Sequence, residues 1–145
     1  MKAPWHLWAV GGLSLLWHLG GAFDYTMSQF RPAFYIEMIP ADIRPQMIAY
    51  LDSYPAWATA AWALGVWGAV LGSLLILLRS RHAVTALWVA MAGLLVNTAH
   101  NYLWSDVSLA QITGPGAQLF TVSIFVVLAF VLAYATRQRT LGRLT

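Results

Sequence analysis

Four runs of predominantly apolar residues, at about 4–24, 56–78, 84–104 and 117–136, constrain this chain more than anything else in it. Each is long enough to cross the roughly 30 Å hydrocarbon core of a bilayer, which takes about twenty residues of helix. In lipid the backbone must satisfy its own polar groups, so runs of this length are expected as helices. With 145 residues in all, the chain reads as one all-α, integral membrane four-helix bundle over residues 1–145. Composition agrees: 9% of residues are charged and mean hydropathy is +0.66, where a soluble domain carries roughly a quarter charged residues.

The first run has Lys2 ahead of it and small residues at Gly20 and Ala22, a loose imitation of a signal peptide. Its length, His18 and three tryptophans favour a retained span, with Trp5 and Trp8 suited to an interface. Charge sets the orientation. Lys2, Arg79, Arg81, Arg137, Arg139 and Arg143 fall on one side, while Arg31, Arg44 and all five acids (Asp24, Glu37, Asp42, Asp52 and Asp106) fall on the other. The positive-inside rule then makes both termini cytoplasmic.

Residues 25–55 are the one long polar segment, and the expectation there is an amphipathic lid on the outer, periplasmic side. Pro32 would open a short helix and Pro40 end it; Asp42 would cap a second, with Ile43, Met47, Ile48 and Leu51 on one face. Arg79 to His82 is a tight basic turn that makes the second and third spans antiparallel neighbours. A faint repeat also shows: His18 and Asp24 are spaced like His100 and Asp106, and Arg-x-Arg closes the second and fourth spans.

Small residues recur at steps of three and four: Gly11, Ser14, His18 and Gly21 in the first span, Ala61, Gly65, Gly68 and Gly72 in the second, Ala90 and Gly93 in the third. Helices in lipid associate through close packing of such residues, so these lines should face one another, with Gly65, Gly68, Gly72 and Gly93 as packing positions. The fourth span has no comparable line and should be the most lipid-exposed.

Polar groups inside spans are costly and are functional-site candidates. Asn97, His100 and Asn101 share one face of an α-helix. Counted from the outer interface, His18 and His100 should meet and, with Asn97, Asn101, Asp24 and Asp106, form a polar pocket under the lid. Three readings compete: interhelical hydrogen bonds that fix packing, a pocket for a small polar solute, and a haem or metal site held by two histidines. No cofactor or metal is expected from two histidines alone. The absence of cysteine excludes disulfides and thiolate ligands. No buried carboxylate pair, nucleophile elbow or glycine-rich phosphate loop is present, so an enzyme is not expected. The formal charge of +3 is dispersed, which argues against a nucleic-acid partner.

The segments Gly21-Ala22-Phe23-Asp24-Tyr25, Tyr54-Pro55-Ala56-Trp57, Trp62 to Gly68, Leu71 to Leu75 and Arg79-Ser80-Arg81 resemble a family of short four-span inner-membrane proteins of proteobacteria, sometimes labelled sugar transporters. The resemblance covers most of the chain. It implies a bacterial inner-membrane location and supplies no catalytic residues; asparagine is common in that family where this chain has His18. The functional expectation is a small multi-pass membrane protein that binds or transports a small polar solute, as a dimer if it transports. The alternative is an accessory subunit or scaffold of a larger membrane complex, docking through the small-residue face of the second span.

Overall fold

A computed structural model of the chain describes residues 4–145, and all regular structure among them is helical. Lys2, counted above with the basic end, lies outside the described residues. The order is α1 (Trp5–Phe30), α2 (Ala33–Met38), α3 (Arg44–Asp52), α4 (Ala56–Leu77), α5 (His82–Ala99) running on into one π-helical turn (His100–Trp104), α6 (Leu109–Thr113) and α7 (Gly116–Thr140). Among the described residues, α4, α5 with its π turn, and α7 are long and apolar enough to cross a membrane. The chain is a helical membrane protein by that criterion. α1 is the longest helix at 26 residues, about 39 Å at 1.5 Å per residue. Its two histidines, Asp24 and Gln29 dilute its hydropathy, and it stands outside that set of three.

Prolines set the starts. Pro4, Pro32 and Pro55 are extended N-caps immediately ahead of α1, α2 and α4, because proline has no N–H to leave unpaired and disfavours helix in the residue before it. α1 runs six residues past Asp24 and stops at Arg31, which takes the left-handed conformation (φ 49°) and donates its N–H to the Met27 carbonyl at 2.8 Å. α2 ends ahead of Pro40. α3 departs from expectation: Ile43, not Asp42, is its N-cap, with no side-chain cap and with proline in its first turn. Proline's fixed φ starts the helix without a carboxylate.

α4 is the centre of the bundle, packing most extensively on α5 and next on α1; α7 leans on α5. The α4–α5 contact is backbone to backbone. A Cβ added at Gly93 would lie 2.6 Å from both the Ala61 carbonyl oxygen and the Gly65 nitrogen. One at Gly68 would lie 3.2 Å from Ala90, and one at Gly72 would lie 2.6 Å from the Leu87 side chain. In lipid, where burying a leucine gains little, this close dispersion contact is what holds two helices together. It also means that the glycine face of α4 is covered by α5 and is not free for a partner protein. On the other side of α4, Gly11 of α1 meets Leu77 and Ile76.

The apolar core fills one half of the molecule: Leu7, Ile76, Leu87, Val131 and Ala135 are essentially inaccessible. α7 therefore contributes more than a lipid-facing surface. One face of its C-terminal half, Leu128, Val131, Leu132 and Ala135, is buried there, while Leu119, Phe120, Val122 and Val126 in its N-terminal half are exposed. The C-terminal tail closes this end. The Arg81 N–H donates to the Thr145 carbonyl and the Thr145 N–H to the Arg79 carbonyl, at 3.3 and 2.8 Å, which seats Leu144 in the core.

Candidate functional site

The other half of the molecule encloses a cavity of about 690 Å³, bounded by α1, α4, α5 and α7 and roofed by the 31–54 segment and α6. Its deep end lies among His18, Ala69 and Leu128. Its walls include Trp17, Trp62, Leu94 and Phe120, and its roof includes Tyr35, Met47, Tyr50 and Tyr54. A mostly apolar, aromatic lining with a few placed polar groups is the character of a small-molecule site, and the volume falls within the range of about 300–1,000 Å³ such sites occupy.

His18 is positioned by the small-residue line of α1: Gly11, Ser14 and His18 are all buried on the face turned to α4. Its Nδ1 shares a hydrogen bond with the hydroxyl of Ser73 at 2.8 Å. Ser73 is fully buried on α4. The pair leaves Nε2 buried without a protein partner, and Asn97 Oδ1 on α5 is in the same condition. Unpaired buried polar atoms are rare and each calls for an explanation. Asn97 is one turn beyond Gly93, level with Ala61, while His18 is level with Ser73, so the two orphan groups lie about 18 Å apart along α4 by helical rise.

The roof is tied down by a second polar cluster. The hydroxyls of Tyr50 and Tyr54 both donate to Asn101 Oδ1 at 2.6 Å and lie 3.1 Å from each other. Burial pushes both phenols up from their ordinary pKa, so they remain protonated donors. Nearer the rim, Tyr35 donates to Asp24 at 2.7 Å and sits 3.1 Å from the Ser28 hydroxyl. Burial raises the Tyr35 phenol too, with the Asp24 carboxylate adding to the effect. Arg31 pairs with Asp52, joining the end of α1 to the end of α3.

The structure thus brings His18, Asn97, Asn101 and Asp24 to the cavity lining and leaves His100 and Asp106 off it. His100 is buried between the rings of Tyr54 and Trp57, with centroids at 4.8 and 5.2 Å, and its Nδ1 has no partner. Asp106 is exposed on the loop that follows. The two histidines do not meet. His100 packs at the start of α4 on Trp57, and His18 bonds Ser73 more than four turns further along the same helix, roughly 24 Å at 1.5 Å per residue. That separation rules out a shared metal ion or a haem ligated by both.

Two physical causes account for the difference. α1 continues to Phe30, so His18 lies in its middle and not near its outer end. At His100 the α-helix gives way to a π turn, closed by Ser105 N–H to the His100 carbonyl at 2.9 Å. The wider turn sends Asn101 to the lid tyrosines and His100 to Trp57. Such turns recur at functional sites. Ser73, Tyr35, Tyr50 and Tyr54 belong to the site and were not expected from the sequence. Helical spacing does not explain the pairing of Tyr50 with Tyr54, since Tyr54 lies beyond the end of α3 at Asp52.

No family model, curated protein or solved structure matches this chain. Its function must therefore be argued from the cavity itself.

Proposed function

We propose that this protein is a four-span membrane protein, with both termini cytoplasmic and the 31–54 segment as a periplasmic lid, that binds a small molecule in the cavity beneath that lid. α1 is long enough to serve as the fourth span, and its polar residues have a use there, since His18 faces α4 and the cavity instead of lipid. Arg79, Arg81 and Arg143 gather at the end closed by the C-terminal tail, with Arg137 and Arg139 in the last turns of α7, and the acids gather at the lid end. The positive-inside rule turns that asymmetry into orientation. A bacterial inner membrane follows from the family resemblance.

One observation carries the binding reading. A cavity of about 690 Å³ has two buried polar atoms without partners, His18 Nε2 and Asn97 Oδ1, on side chains that line it. Such an atom carries a desolvation cost of roughly 1–3 kcal/mol, and the same cost falls on His100 Nδ1 away from the cavity. What sets His18 and Asn97 apart is that their side chains line the cavity, where a bound molecule with hydrogen-bonding groups compensates them. The apolar walls add that this molecule has an apolar body, which refines the expectation of a simple polar solute. Transport across the bilayer would use the same cavity, with the lid tyrosines as the outer closure.

The test is gentle purification followed by native mass spectrometry. A small molecule in fixed ratio should accompany the wild-type protein and be lost from a folded His18→Leu variant. Wild-type protein with no small molecule from either detergent or nanodiscs would count against the reading. A protein partner in fixed ratio would point to an accessory subunit instead.

A further inference from the structure

Besides the lid, the cavity is bounded by the seam between α1 and α7. α1 and α7 touch sparingly. At the basic end His6 Nδ1 and the Tyr134 hydroxyl are hydrogen-bonded at 2.6 Å, and midway the rings of Trp17 and Phe120 approach to 6.2 Å. Trp17 and Phe120 each line the cavity and remain 40% and 59% exposed overall. Their ring contact crosses the seam between α1 and α7 where both helices line the cavity. Beside them Gly20 also lines the cavity, and a Cβ there would meet nothing within 4 Å.

The lining restricts what can come through. Asp24 is the one acidic side chain in the lining among the described residues; it lies at the lid end and already accepts from Tyr35. No arginine or lysine lines the cavity among those residues. A charged group at the deep end would be desolvated with no opposite charge to meet it. His18 Nε2 accepts if Nδ1–H donates to Ser73 and donates if the Ser73 hydroxyl donates to Nδ1, while Asn97 Oδ1 only accepts. A hydroxyl satisfies either kind of group.

Resting on the binding reading above, we infer that the cavity takes a neutral, lipophilic molecule bearing a hydroxyl group, and that this ligand enters from the bilayer between α1 and α7, past Trp17 and Phe120. The hydroxyl pairs with His18 at the deep end. The apolar body lies along the aromatic wall. Trp17 and Phe120 act as a lateral gate, and the lid stays closed during entry. A bilayer phospholipid has the apolar part but carries a charged headgroup, which this lining does not match.

The chain has no cysteine, so a Trp17→Cys/Phe120→Cys variant can be bridged cleanly with a short bis-methanethiosulfonate and released with dithiothreitol. The probe is an alkylphenol carrying a diazirine, tested in nanodiscs beside its methyl ether and the matching alkylbenzoate. The phenol should photolabel residues on α1 and α7 in wild-type protein. Bridging should slow labelling at least about tenfold, and release should restore it. Labelling should fall roughly tenfold in His18→Leu, the effect of losing one buried hydrogen bond, with His18→Asn recovering part of it. Restoration on release shows that the bridged protein was folded.

Phenol labelling that is displaced by excess phenol but unaffected by the bridge would overturn the lateral route and leave the binding reading standing. Equal labelling by the ether and the benzoate, indifferent to His18, would overturn the ligand class. No saturable labelling by any of the three, together with no co-purifying molecule, would overturn the binding reading itself.

Discussion

The seam between α4 and α5 and the seam between α1 and α7 are built in opposite ways. Along the first, glycines bring two backbones close enough that almost any added atom collides. Along the second, Leu7 joins α7 in the core at one end, one hydrogen bond and one pair of rings cross the seam, and there is open space at Gly20. In lipid there is no general hydrophobic force between helices, so the number of close contacts decides which pair holds and which can part. The tight seam is the frame, and the loose one is the side on which a cavity can open without dismantling the fold.

The largest effect that would break this contrast is at Gly93. Gly93→Ala places a methyl against the Ala61 and Gly65 backbones, which have no flexible end to move aside. It should lower stability by about 1–3 kcal/mol, the usual cost of overpacking, read as a fall in Tm in detergent. Gly20→Ala, on the loose side, should be neutral or slightly stabilising, since alanine in a helix is favoured over glycine by about 1 kcal/mol. Equal sensitivity at the two glycines would contradict the difference between the seams.

A smaller effect is expected at the roof. Asn101→Leu removes the acceptor of both Tyr50 and Tyr54 and leaves two buried hydroxyls paired only with each other. Limited proteolysis of residues 40–53 should become several-fold faster, for a loss on the order of 1–2 kcal/mol in lid docking.

The same cluster sets a pH dependence. Burial raises the Tyr50 phenol above its ordinary value, so the docked lid holds the proton more tightly than the free lid. Docking is then at full strength below about pH 10, where an unperturbed tyrosine titrates, and weakens as pH rises beyond it. Proteolysis of the lid should accelerate above that pH in wild-type protein, and less so in Tyr50→Phe. The smallest effect belongs to Arg31 and Asp52: their pair is partly exposed, and Asp52→Ala should change stability by no more than about 1 kcal/mol, less at high salt.

What the sequence discloses follows the same division. The glycine line on α4 is legible because steps of three and four leave one flat face on a helix whatever surrounds it. The proline boundaries of α2 are legible because proline acts on its own neighbours. The depth of His18 is not, because the end of α1 depends on Arg31 adopting a left-handed conformation at the lid, and Asp24 looks like an interfacial stop. The parting of His100 from Asn101 is not either, since a π turn carries no residue signature. Ser73 is invisible until α1 is laid against α4, and only tertiary packing places a serine hydroxyl beside His18 Nδ1.

The most direct measurement is a pair of distance distributions by double electron–electron resonance in nanodiscs, with spin labels at Leu16 and Leu119 across one seam, which leaves Trp17 and Phe120 in place, and at Leu64 and Leu95 across the other. All four positions are exposed, and the absence of native cysteine makes each labelled pair unique. The account predicts a narrow distribution across α4 and α5, and a broad or double one across α1 and α7 that narrows when the alkylphenol is added. Distributions of equal width, unmoved by the ligand, would contradict it.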